Sequence, residues 1–147
     1  MYSANLKPDN SSGFGMFEGI ALVFMVFVML IVTVSAFSAA KEDSRDAHRV
    51  ADVMQLRQAM KLYMDEYGQY PQGSNGIAVG VDDSFARFIA KWPTPPKPAD
   101  GSCQETNNVY YYELTNSGSS YEIRFCLGNG YKNLRAGVLT ATPDGYR

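Results

Sequence analysis

Apolar residues fill the chain almost without a break from Phe14 to Ala40 (FGMFEGIALVFMVFVMLIVTVSAFSAA), with a single ionisable side chain, Glu18, near the start. The run is about 27 residues, longer than the roughly 20 that an α-helix needs to cross the hydrocarbon core of a bilayer. No proline interrupts it. At Lys41 the pattern changes to mixed charge (KEDSRDAHR), and a helical period then resumes without a turn signal. Val53, Leu56, Met60, Tyr63 and Tyr67 recur at alternating steps of three and four, which places them on one helix face. Gly68 and Pro71 supply the stop. The pattern predicts one helix from Phe14 to Tyr67, lipid-compatible over 14–40 and amphipathic over 41–69. The charge run Lys41–Arg49 reads as a solvated helix face just outside the membrane, where single ion pairs contribute little.

Beyond the helix the pattern is weaker. Residues 70–106 form a connecting region. Gly73, Gly76 and Gly80 punctuate an irregular stretch, and Asp82 and Asp83 are N-cap candidates for a short helix carrying Phe85, Phe88, Ile89 and Trp92 on its apolar side. The proline-rich PTPPKPADGSC then reads as an extended crossover loop. Residues 107–147 have the period of a sheet. NVYYYEL (Asn108–Leu114) and SYEIRFCL (Ser120–Leu127) flank the hairpin turn TNSGS, and RAGVLTAT (Arg135–Thr142) is a third strand. Val109, Tyr111, Ile123 and Phe125 are the expected inward positions. The fold class is thus α+β: a long N-terminal helix packed on a small antiparallel C-terminal sheet.

Composition adds bounds. A chain of 147 residues, 46% apolar, allows one modest domain beside the membrane helix. The formal net charge of −2 gives no electrostatic case for nucleic acid. There is one histidine, His48, and no nucleophile elbow, phosphate loop or metal-ligand spacing accompanies it. No cofactor is implied and no catalytic residue can be named, so the chain reads as a non-enzyme. The tyrosine triplet Tyr110–Tyr112 reads as ordinary strand residues, and Asp144 in TPDG as a turn residue rather than a calcium ligand. Two cysteines remain. A hairpin centred near Ser117 brings Cys126 opposite residue 108, within reach of Cys103. Outside the cytoplasm such a pair is oxidised, and closing that loop contributes about 3 kcal/mol by chain entropy.

The segment before the apolar run is short and polar (MYSANLKPDNSSG). A secretory signal peptide has a shorter apolar core, followed by its cleavage site. Here a leader ending in Gly13, an aromatic Phe14 and a glutamate fifth after that glycine resemble the signal of type IV prepilins. A cut after Gly15 would instead place Glu18 third. RDAHRVADVMQLRQAMKLYMDEYGQYP (Arg45–Pro71) is similar to the helix end and GxYP stop of many type IV pilins and type II secretion pseudopilins. The resemblance covers roughly the first half of the chain.

That resemblance implies several things. Residues 1–13 would be removed between Gly13 and Phe14 by a prepilin peptidase, and Phe14 would be N-methylated. Glu18 would guide assembly by meeting the α-amine of a neighbouring copy. An intramembrane carboxylate costs roughly 2.5–3.5 kcal/mol and so usually has a partner. The product would be a helical homo-oligomer that leaves the cytoplasmic membrane as a cell-surface or extracellular filament serving adhesion, motility, DNA uptake or secretion. A Cys103–Cys126 disulfide would match the one that pins the C-terminal region of many pilins. Two features depart from the family. No proline, and no glycine after Gly19, breaks the membrane half, which predicts a more continuous helix. Lys7 is balanced by Lys41, Arg45 and Arg49, so orientation follows from the resemblance and not from charge. The alternative is a signal-anchored monomer presenting a small extracellular binding domain.

Overall fold

A computed structural model of the protein describes residues 15–147, apart from the side chains of residues 34–36. The expected leader, its last residue Gly13 and the expected new N-terminus Phe14 lie outside the described residues. Helix α1 (Met16–Tyr67) is followed by a short ribbon of β1 (Gly73–Ser74) and β2 (Ile77–Ala78). A 3-10 segment (Val81–Arg87) comes next, then strands β3 (Tyr111–Thr115), β4 (Ser120–Leu127), β5 (Gly137–Thr142) and β6 (Gly145–Tyr146). The four last strands form an antiparallel sheet in the order β3-β4-β5-β6. The chain divides into two compact units between Ser38 and Ala39.

The second unit is an α+β layer pair. Gly68 ends α1 in the left-handed region (φ 70), and its N–H bonds to the Met64 carbonyl at 2.8 Å. The core-facing stripe of α1 is Val50, Val53, Leu56, Ala59, Met60 and Tyr63, all buried. It packs against Tyr110, Tyr112, Tyr121, Ile123, Phe125, Leu127, Leu139 and Ala141 from the sheet and its approach. Burying a side chain such as Leu56 or Ile123 contributes roughly 1.5–3 kcal/mol. Tyr67, the last member of the predicted stripe, is 38% exposed, with its ring stacked on that of Tyr63 at 4.4 Å.

Two expected inward positions are wrong. Ile123 and Phe125 face the core, but Val109 and Tyr111 face outward, at 49% and 41% exposure. Tyr112 pairs with Ile123 and Tyr111 with Arg124, so Tyr110 and Tyr112 share the buried face. A shift of one residue exchanges the two faces of a strand. Three consecutive tyrosines leave that phase unmarked, whereas Arg124 between two apolar residues fixes it in β4.

The connecting region also differs. Residues 70–83 hold the β1–β2 ribbon, whose Asn75–Gly76 turn takes positive φ at both positions (52 and 78). A Cβ on Gly76 would sit 2.5 Å from the Tyr111 ring. The expected N-caps do no capping: Asp82 (φ 50) and Asp83 (φ 58) are left-handed and make no cap bond. Phe85 explains this. It is buried, with its N–H bonded to the Val79 carbonyl at 3.1 Å and its ring between those of Tyr63 and Trp92. Reaching that position so soon after Gly80 demands a tight loop, and packing overrides the cap.

Candidate functional site

The first unit presents one surface. Among the described residues, α1 is the one helix long and apolar enough to cross a membrane, and none of its most apolar window is buried within the chain. Phe17, Val23, Phe24, Phe27 and Val32 are each at least 60% exposed. Soluble monomers do not carry a contiguous apolar surface of this extent, which marks a membrane or association surface. The Thr33 hydroxyl bonds back to the carbonyls of Met29 (3.0 Å) and Leu30 (2.9 Å), so a polar side chain here is satisfied within its own helix.

Glu18 stands at the start of that surface, in the first turn of α1. Its Oε2 accepts the Gly15 N–H at 3.1 Å, half of a capping box in which the third helical residue reaches back to the cap. A carboxylate there also faces the positive end of the helix dipole. The structure therefore gives Glu18 an acceptor role toward a backbone N–H just before the helix.

In the second unit the charge run Lys41–Arg49 is a solvated face only in part: Lys41, Asp43, Ser44 and His48 are exposed, but two members turn inward. Asp46 and Arg49 are wholly buried. Arg49 Nη1 donates to Asp46 Oδ1 (2.8 Å) and Asp100 Oδ1 (2.9 Å), and Nη2 reaches the carbonyls of Pro96 and Pro98, each at 3.3 Å. Asp46 also accepts three backbone N–H groups, from Gly128 (2.8 Å), Asn129 (2.8 Å) and Gly130 (3.0 Å). Arg45 pairs with the second oxygen of Asp100. Burial alone would lower the Arg49 pKa, but the hydrogen bonds and charges of Asp100 and Asp46 outweigh it and leave the pKa raised. The cluster ties α1 to the proline-rich loop and to the loop after β4. Aspartate and arginine three apart extend the Val50–Val53–Leu56 stripe upstream, a signal readable in the sequence; Asp100 carried none.

Cys103 and Cys126 are joined, with Cα atoms 5.8 Å apart. Around them the turn Asp100–Cys103 bonds to the loop after β4 through Ser102 N–H and the Gly128 carbonyl (2.8 Å). The bridge and the ionic cluster thus hold the same two loops. His48 is mostly exposed, 3.5 Å from Asp52. Asp52 accepts the buried Tyr110 hydroxyl at 2.8 Å. Asp144 lies exposed in the β5–β6 turn. No three His, Cys, Asp or Glu side chains among the described residues are grouped so as to hold a metal ion. Glu18 belongs to the first unit, and Cys103 and Cys126 to the second. No family model matches the chain, and no curated protein or solved structure matches it either.

Proposed function

We propose that the chain is a non-enzymatic structural subunit of a type IV pilus-like or pseudopilus filament. The observation that carries this reading is the wholly exposed apolar surface of the first unit, with one carboxylate at its N-terminal end. Such a surface has two stable surroundings, lipid before assembly and other copies after it. The leader resemblance supplies the transition. Removal of residues 1–13 would free the α-amine of Phe14 one helical turn from Glu18. In the membrane Glu18 would cap its own helix, and in the filament it would exchange that partner for the amine of a neighbour. The second unit, outside the membrane, would form the outer layer. Its partners are further copies, a prepilin peptidase and the assembly machinery.

The test is Glu18→Gln in the full chain. The variant is expected to insert in the membrane as the parent does, while the yield of sheared filaments falls. Parental filament yield from Glu18→Gln would contradict the role given to this carboxylate.

A further inference from the structure

The second unit carries a groove beside α1, about 660 Å³ in volume, whose lining includes Met54, Arg57, Lys61, Asp65, Tyr70 and Tyr121. Its apolar lining is Met54, which is 58% exposed, with Met64, Tyr70, Tyr121 and Pro143. Two cations, Arg57 and Lys61, also line it. Arg57 donates to the carbonyls of Thr142 and Pro143 (both 3.2 Å) and lies over the Tyr146 ring, so neutral groups hold it in place. No carboxylate forms an ion pair with Arg57 or Lys61 among the described residues. Asp65 also lines the groove, one helical turn beyond Lys61.

A second exposed feature lies on the opposite flank of α1. The 3-10 segment packs there, with Arg87 bonded to Glu66 at 2.9 Å and Phe88 and Ile89 beside Ala59 and Leu62. At 100° per residue, Leu62 and Glu66 fall on one side of the core stripe, next to Ala59 at its margin, and Arg57, Lys61 and Met64 on the other. At the start of the segment Val81 is 53% exposed, followed by the exposed Asp82 and Asp83. Neither acid forms an ion pair among the described residues.

We infer that the groove of one copy receives the Val81–Asp83 turn of the next, with Val81 against Met54 and the two acids against Arg57 and Lys61. An exposed apolar residue followed by two acids complements an apolar lining that carries two cations, and both lie on this one chain. Because they occupy opposite flanks of α1, the contact is head-to-tail. Such contacts repeat without closing when the rotation does not close a ring, and generate an open helical assembly. Asp65 sets the register by keeping the acids at the Arg57 end. The inference rests on the filament reading and assigns its lateral contact.

The experiment is charge exchange in the full chain, read as the yield of sheared filaments. Lys61→Glu and Asp83→Lys each juxtapose like charges and are expected to lower the yield roughly tenfold, while the two together restore most of it. Asp83→Asn, which keeps a residue type at ease in the left-handed region, is expected to give a smaller loss in the same direction. Unchanged yield from the single variants, with normal parental filaments, would overturn the contact and leave the filament reading standing. A double variant no better than either single would also overturn the contact. A parent chain that forms no filaments would remove both.

Discussion

Asp46 and Arg49, one turn apart on α1, bond to each other at 2.8 Å with neither side chain reaching solvent. Removing one member of a buried charge pair costs roughly 3–5 kcal/mol, and Arg49 without Asp46 would keep Asp100 as its one carboxylate partner. Asp46→Asn also presents an amide to three backbone donors. Denaturant unfolding of the detergent-solubilised full chain is therefore expected to show a loss of about 3 kcal/mol or more. A midpoint equal to the parent's would mean that the cluster does not hold the loops.

The disulfide acts on the same loops by another route. Replacing Cys103 and Cys126 together by alanine reopens a separation of 23 residues, which is expected to cost about 3 kcal/mol. Because the Asp100–Cys103 turn serves both the bridge and Arg49, combining this variant with Asp46→Asn should lose less than the sum of the separate losses. Additive losses would show that the two constraints are independent.

Alkaline pH should unfold the second unit through its tyrosines. Burial raises the pKa of Tyr110, reinforced by its hydrogen bond to Asp52, and burial likewise raises that of Tyr112. Tyr121 is pushed up to about 12 by burial, against the lowering effect of Arg57. The unfolded chain ionises these groups near 10 while the folded chain keeps its protons. Their contribution is thus fully present below pH 10 and is lost as the pH rises towards 12. Thermal melts are expected to be flat from pH 7 to 9 and to fall steeply above pH 10, with phenolate absorbance rising at the unfolding transition. Phenolate absorbance rising below pH 10.5 in the folded chain for all ten tyrosines would contradict this burial.

Gly76 is a constrained turn position. Its φ of 78 and the Tyr111 ring together exclude a Cβ. Gly76→Ala is expected to cost about 1–3 kcal/mol in the same unfolding measurement, and parental stability would show that the ribbon shifts freely.

What the sequence reveals depends on whether one short-range signal decides the outcome. The stripe Val53–Leu56–Met60–Tyr63 is legible because helical spacing alone specifies it. Ser120–Leu127 is legible because Arg124 and Glu122 mark the outer face. The phase of Tyr110–Tyr112 is not legible, since identical residues carry no alternation. Asp82 and Asp83 resemble caps, but the burial of Phe85 decides their backbone. The spacing of Asp46 and Arg49 continues the core stripe, but their partners, Asp100 and the 128–130 loop, lie far away in sequence and carry no such signal. Glu18 stands out in the sequence as the lone acid of an apolar run, and the structure adds its bond to Gly15.

The N-terminal sequence of the chain recovered from the sheared extracellular fraction tests the central claim most directly. The account predicts a chain beginning at Phe14 with a methylated amine, present in polymers. A chain beginning at Met1 and confined to membranes would contradict it.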